Sequence, residues 1–129
     1  MINFHTLRLP DTPNYYLVAP EFFCTVKLNK ITPAYCMPAS TLAAKVNEII
    51  KNMPRMTQLD SDPKTYQYAY IQKSFLFRFP DYIYIQVIPI SEKKSTIAIY
   101  SHAKYGYSDF GVNQKRVEKI LAKLVPRQD

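Results

Sequence analysis

The run YIYIQVIPI, residues 82–90, is the part of the sequence that decides the fold. Its first six residues alternate tyrosine or glutamine with isoleucine or valine, which is the two-residue period of a β-strand with two unlike faces. Strand-forming runs also occupy residues 66–78 and 96–105, with turn-forming residues between the runs. Residues 55–59 can add a short strand before them. The pattern predicts an antiparallel sheet of about four strands.

Helical periodicity appears on either side of these strands. The first segment follows Ser40 or Thr41, which can cap a helix, and the second covers residues 112–125. Their apolar positions are Leu42, Val46, Ile49 and Ile50 in the first segment, and Val117, Ile120, Leu121 and Leu124 in the second. The order helix, strands, helix predicts a two-layer α+β fold in which both helices cover the same face of the sheet.

The N-terminal residues 1–38 have a different composition. They contain five prolines, which disfavour a long helix or a central strand, together with several large aromatic and aliphatic residues. We therefore expect an extended arm that packs on the rest of the molecule. At 129 residues the chain fits one domain, 1–129, with the helix, strands and helix in 39–129.

Composition argues against several classes of function. With two glycines and no phosphate-cradling motif, the chain is predicted to use no nucleotide cofactor, or any other. Two histidines and two cysteines without ligand spacing predict no metal site. No run approaches the roughly 20 apolar residues of a membrane-spanning helix, and a cytoplasmic location is expected.

The net charge of +7 favours anionic partners at long range. A small molecule or an acidic protein is expected, and nucleic acid is not, because no RNA-binding signature is present. Lys115, Lys119 and Lys123, joined by Arg127, form a basic stripe on the last predicted helix. This stripe is either a solvated face or a weak docking surface for an acidic protein or anionic lipid.

Strand alternation predicts an aromatic face on the sheet. If the aliphatic side chains meet the helices, the tyrosines point away from them. The predicted ligand-binding residues on this face are Tyr66, Tyr68, Tyr70, Tyr82, Tyr84, Tyr100 and His102. So much aromatic area is rarely left exposed to solvent. It is therefore covered by the N-terminal arm, or covered by a second copy of the chain in a homodimer, or it is a platform for a flat or apolar ligand.

The segment YGYSDFGVNQKR, residues 105–116, joins the last strand to the last helix and contains both glycines of the chain. The glycines indicate positive φ or a close backbone approach, and Ser108 or Asp109 can cap the helix. A polar cluster is predicted here, formed by Asp81, Tyr107, Ser108, Asp109, Asn113 and Arg116. It either only fixes this corner of the fold or forms a pocket for an anion or polar ligand.

The same segment resembles the C-terminal GYSDxGVNxxR signature of a family of short bacterial and plant proteins of unknown function. TPNYYLVAPE, residues 12–21, is similar to the family's SPNC segment, and FLFRFPDYIYIQV, residues 75–87, is similar to its strand pair. Tyr15 stands where the family usually has cysteine, so no thiol chemistry carries over to that position. The resemblance implies a shared fold unit and no defined activity.

These observations favour a binding or interaction module that is not an enzyme. Its ligand or partner is expected on the tyrosine-rich face or at the strand-to-helix corner. The alternative is a small enzyme in which Asp109 and His102 act as acid and base.

Overall fold

The computed structural model describes residues 1–76, 78–106 and 108–124. Its regular elements, in chain order, are a 3-10 turn at Phe4–Thr6, β1 Tyr15–Ala19, β2 Lys30–Ile31, α1 Ala39–Lys51, β3 Met56–Asp62, β4 Gln67–Lys73, β5 Pro80–Ser91, β6 Lys94–Ala103 and α2 Val112–Leu124. The strands form one six-stranded sheet in the order β2-β1-β6-β5-β4-β3. None of the helices in the described ranges has the length and apolar content needed to cross a bilayer.

The prediction of a four-stranded, purely antiparallel sheet was wrong. β1 pairs with β6 in antiparallel register, and β2 pairs with β1 in parallel, so the sheet is mixed and has two more strands than predicted. Both extra strands come from the segment expected to be an extended arm. The prolines lie at the edges of β1, at Pro13 and Pro20, and leave YYLVA free to donate its backbone hydrogen bonds.

The two helices cover one face of the sheet, as predicted. Aliphatic side chains of β5 and β6, including Ile83, Ile85 and Ile99, pack there against Val46 of α1 and Val117 of α2. α1 begins at Ala39 with Pro38 as its N-cap and no side-chain cap, so the prediction that Ser40 or Thr41 caps the helix was wrong. Proline fits directly before the helix because it has no N–H that would need a partner there.

The β4 tyrosines lie on the opposite face from the one predicted. Tyr70 pairs with Ile83 and Tyr68 with Ile85, so both tyrosines are buried under the helices. Tyr66, in the turn before β4, packs against the same core. Alternation alone does not fix the phase of β4, because both of its faces are apolar. The Tyr70 hydroxyl resolves the choice by donating a hydrogen bond to Asn47 Oδ1 on α1.

The helix-free face is covered in part by the chain's own N-terminal arm. Phe4 is buried against Leu17 of β1 and Tyr100 of β6, and apolar side chains of residues 2–9 and 23–28 surround this contact. The N-terminal arm, one of the two covers expected for the aromatic face, therefore covers this face over β1 and β6. The ring of Tyr100 is buried as a result.

Candidate functional site

The strand-to-helix corner is organised by Arg116, which points inward from α2. Its Nη2 lies 2.7 Å from Asp81 Oδ2, and its Nε donates to Gln72 Oε1 at 2.5 Å. Nη1 donates to Asn113 Oδ1 at 2.7 Å and to Ser101 Oγ at 3.1 Å. A buried guanidinium needs both a counter-charge and partners for its N–H groups, and this cluster supplies both.

Asp109 caps α2. Its Oδ1 accepts from the Gly111 amide at 2.8 Å, and its Oδ2 accepts from the Asn113 amide at 3.2 Å and from Asn113 Nδ2 at 2.6 Å. A carboxylate in this position satisfies free amides at the helix start and is favoured by the helix dipole. The preceding turn uses positive φ at Gly106 (91°) and Gly111 (80°), the conformation that the two glycines indicated.

The structure brings together four of the six residues predicted for the polar corner: Asp81, Asp109, Asn113 and Arg116. Ser108 is exposed at the edge of the cluster, where its Oγ accepts a hydrogen bond from the Phe110 amide at 3.2 Å. Tyr107 lies outside the described residues.

Sequence reasoning missed three members of the corner: Asn14, Gln72 and Ser101. Asn14 Nδ2 donates to the Gly106 carbonyl at 2.8 Å, and the Asn14 carbonyl accepts from Asn113 Nδ2 at 3.2 Å. Ser101 gave a signal that went unused, because it is a polar residue in line with the aliphatic positions of β6. The signal at Gln72 depended on the phase of β4, which was assigned wrongly.

Burial and charge act in opposite directions on Asp81. Burial raises the pKa of its carboxyl group, while the neighbouring guanidinium of Arg116 lowers it. The net effect is a raised pKa, because the cost of desolvating this carboxylate outweighs the attraction of its counter-charge. Asp81 therefore belongs to the structural cluster and has no free charge to offer a ligand.

Four of the seven residues predicted for the tyrosine-rich face do share the helix-free side: Tyr82, Tyr84, Tyr100 and His102. Their rings stack on one another, with centroids 4.9 Å apart for Tyr100 and His102 and 5.5 Å apart for Tyr82 and His102. The rings of this Tyr–His ladder thus fill much of one another's apolar surface. Burial lowers the pKa of His102, whose Nδ1 lies 3.2 Å from the Ala103 carbonyl oxygen.

The two residues of the enzymatic alternative have separate surroundings. Both carboxylate oxygens of Asp109 are engaged in capping α2, and His102 is stacked within the Tyr–His ladder. Asp81 is the group that interacts electrostatically with both of them. Within residues 1–76, 78–106 and 108–124, no three His, Cys, Asp or Glu side chains cluster closely enough to hold a metal ion.

A cleft of about 370 Å³ opens beside the corner, between α2 and the ends of α1 and β4. We call it the basic cleft, because five of its lining side chains are cationic and one is acidic. It is lined by Met53, Arg55, Gln72, Lys73, Ser74, Phe75, Asp81, Val112, Lys115, Arg116 and Lys119. The acidic residue, Asp81, is paired with the buried cation Arg116.

The other four cations of the basic cleft have no carboxylate within salt-bridge distance among the described residues: Arg55, Lys73, Lys115 and Lys119. Arg55 is held in place, since its Nε donates to the Lys73 carbonyl at 2.8 Å and its guanidinium lies 5.6 Å from the centre of the Phe75 ring. The backbone of Arg55 has a φ of 57°, which a non-glycine residue adopts at some cost. Three separate segments, the turn before β3, the end of β4 and α2, thus present positive charge to one cavity.

A second groove, of about 360 Å³, lies on the other side of the start of α2. Its lining is polar and aromatic and includes Tyr15, Tyr16, Asn29, Ser108 and Gln114. The Tyr16 hydroxyl donates to Glu118 at 3.2 Å near this groove, so its polar groups are already partly engaged. None of its lining residues is cationic.

The family model for "Protein of unknown function (DUF1499)" matches residues 8–124. This match covers most of the 129 residues, including the corner, the basic cleft and the Tyr–His ladder. The chain belongs to the DUF1499 family. The family resemblance inferred from the sequence is thereby confirmed at the level of a domain of unknown function.

Comparison with known proteins adds little about the role of this DUF1499 chain. No curated protein matches it. It is similar to a Thermobifida fusca protein solved by solution NMR (8% identity, 72% of this chain, 82% of that chain, TM-score 0.48). It is also similar to a crystal structure of a DUF4468 family protein from Bacteroides ovatus (10% identity, 60% of this chain, 56% of that chain, TM-score 0.31). Likenesses this distant carry no argument about function.

Proposed function

We propose that this DUF1499 protein is a binding module, without catalysis of its own, that holds an anionic group in the basic cleft. The observation that carries the proposal is the set of four cationic side chains, from three segments of the chain, that line one cavity without a carboxylate partner among the described residues. A phosphate or carboxylate group is the complementary ligand, because it accepts several charge-assisted hydrogen bonds at once. Of the two surfaces expected from the sequence, the tyrosine-rich face and the strand-to-helix corner, the proposal keeps the corner and the cleft beside it.

The cost of the arrangement supports a role in binding. Lys115 and Lys119 lie four residues apart on α2, where like charges destabilise a helix by about 0.2–0.5 kcal/mol. Lys73 and Arg55 add further like charge to the same cavity. An anion in the cleft would relieve this repulsion, so binding and helix stability would favour each other.

The basic cleft has a better claim than the two other surfaces at this end of the molecule. The Tyr–His ladder is self-stacked, and its most buried ring, Tyr100, is covered by the arm. The second groove contains no cation, and Asp109 on its wall is committed to the helix cap. The net charge of +7 also steers anions toward the molecule in general, and the cleft is where that charge is concentrated in a cavity.

The proposal is tested by isothermal titration with inorganic pyrophosphate. Wild type is expected to bind it saturably, and the double variant Lys73→Glu/Lys119→Glu is expected to bind at least about tenfold more weakly, because two attractive charges become repulsive. The matched control is Lys27→Glu/Lys93→Glu, which makes the same change in net charge at exposed positions away from the cleft.

The control decides between a site and general charge. If both double variants lose affinity equally, the attraction belongs to the whole molecule and the cleft is not a site. If wild type shows no saturable binding at any pyrophosphate concentration tested, the proposal is wrong.

A further inference from the structure

The sheet topology brings two loops, one after β4 and one after β6, to the same end of the sheet. β4 ends where β5 begins, with Lys73 paired to Pro80, and β6 ends beside the same point, with Ala103 paired to Asp81. The two loops, whose described residues are 74–76 with 78–79 and 104–106 with 108–111, therefore leave the sheet side by side. The Phe79 and Tyr105 rings lie 6.4 Å apart and join the two loops. The basic cleft opens between the first of these loops and α2.

Large apolar side chains are exposed at this end. Phe75 is 81% exposed and Leu76 is 73% exposed in the loop after β4, and Phe110 is 89% exposed just before α2. Six of the exposed large apolar residues of the described chain lie in these two loops or at the start of α2: Phe75, Leu76, Phe79, Tyr105, Phe110 and Val112. A concentration of exposed apolar side chains on one end of a small protein marks an interaction surface.

Cations alternate with these apolar side chains. Arg78 lies within the first loop, and Lys104 in the second loop has its Nζ 5.4 Å from the centre of the Tyr105 ring. The two carboxylates of the neighbouring segments, Asp81 and Asp109, are held inside the corner by hydrogen bonds. The surface therefore offers apolar tips and positive charge together, with its local negative charge neutralised or engaged.

We infer that this end of the molecule docks on an anionic lipid bilayer, with the two loops entering the interface and a lipid headgroup seated in the basic cleft. The inference rests on the proposed function and names the source of the anion. Aromatic and aliphatic tips partition into the interface of a fluid bilayer without needing a complementary surface, while lysine and arginine contact the headgroups. A second copy of the chain is disfavoured as the occupant, because two surfaces of the same positive charge repel each other.

Co-sedimentation with vesicles tests the inference. Wild type is expected to bind vesicles of phosphatidylcholine with about 30% phosphatidylserine, to bind pure phosphatidylcholine vesicles weakly, and to lose affinity as salt is raised. Leu76→Ser/Phe110→Ser, which removes one exposed apolar side chain from each loop, should bind the anionic vesicles at least about tenfold more weakly, because buried apolar groups contribute to anchoring. Phe22→Ser is the matched control. Phe22 is 90% exposed, but it follows the C-terminal end of β1, whereas the start of β1 is the end that lies beside the two loops.

The variants also separate this inference from the proposed function. Leu76→Ser/Phe110→Ser should keep pyrophosphate affinity, because neither residue lines the basic cleft. Lys73→Glu/Lys119→Glu should instead lose affinity for both pyrophosphate and vesicles, by about fivefold per lysine for the vesicles. If wild type binds pyrophosphate but not the anionic vesicles, membrane docking is wrong and the basic cleft stands as a site for a soluble anion.

Three other outcomes overturn the inference. One is vesicle binding that Leu76→Ser/Phe110→Ser leaves unchanged, and another is an equal loss in Phe22→Ser. The third is a concentration-dependent dimer in analytical ultracentrifugation that Leu76→Ser/Phe110→Ser abolishes, in the absence of vesicle binding, since it would identify a second copy of the chain as the occupant.

Discussion

The Nη2 atom of Arg116 lies 2.7 Å from the Oδ2 atom of Asp81, and this contact ties α2 to the start of β5. The same guanidinium also reaches β4 through Gln72 and β6 through Ser101. One side chain thus holds three adjacent strands to the last helix. Because Arg116 and Asp81 also line the basic cleft, the shape of the proposed site depends on this pair.

Removing the counter-charge from this pair is expected to be costly. Asp81→Ala leaves a buried guanidinium without its carboxylate and should lower the free energy of unfolding by about 3–5 kcal/mol, measured by urea denaturation. Glu92→Ala, at an exposed position in the β5–β6 hairpin, should change it by no more than about 0.5 kcal/mol. If Asp81→Ala lowered the free energy of unfolding as little as Glu92→Ala does, the Arg116 guanidinium would be solvated and would not depend on Asp81.

Asp109→Asn tests the capping role against the enzymatic alternative. The substituted amide cannot accept from all three N–H groups that now bond to the carboxylate, so stability should fall by about 1–2 kcal/mol. The loss is measured by thermal or urea unfolding. An unchanged stability together with loss of a measured turnover would instead assign Asp109 to catalysis.

The Tyr70 hydroxyl provides a test of the strand register. Burial, together with the nearby Tyr68, raises the pKa of Tyr70 to about 12. The difference between the spectrophotometric titration curves of wild type and Tyr70→Phe should therefore show no ionisation near the ordinary pKa of about 10 while the protein remains folded. Tyr70→Phe should also cost about 1 kcal/mol through the lost bond to Asn47. Ionisation of Tyr70 near 10 in the native state would place its ring outside the helix-covered core.

The half-buried His102 predicts a pH-dependent stability. Because burial lowers its pKa in the folded state, the unfolded chain binds more protons between that lowered value and about 6.5. Stability should therefore rise with pH through this window, and His102→Gln should flatten the slope. The raised pKa of Asp81 gives the opposite slope in the acidic range above its ordinary value, so the comparison is made on the difference between wild type and variant. A slope that His102→Gln leaves unchanged would show that another group is responsible.

Much of the fold could be predicted because it follows from local periodicity. Both helices and the four strands β3 to β6 overlap the segments that alternation or helical spacing indicated, although the predicted run 66–78 continues five residues beyond the end of β4. β1 and β2 could not be found this way, because they are short, five and two residues, and their neighbouring prolines suggested a non-regular segment. Their pairing is set by tertiary contacts, such as the Asn29 side chain accepting from the Leu17 amide at 2.8 Å.

The candidate site was predictable only in part. Asp109 and Asn113 could be found because a helix start has free amides that demand nearby acceptors, and Arg116 because its position turned a charge inward. The basic cleft was not predicted as a whole. Its cations come from residue 55, residue 73 and α2, and only the fold brings them to one cavity. The lysine stripe on α2 was its one local signal.

The most direct measurement is an NMR titration of ¹⁵N-labelled wild type with sodium pyrophosphate. We expect saturable chemical-shift changes concentrated on the backbone amides of Arg55, Lys73, Lys115 and Lys119, all fitting one dissociation constant. Shifts spread evenly over the surface lysines without saturation, or centred on the Tyr–His ladder, would contradict the account.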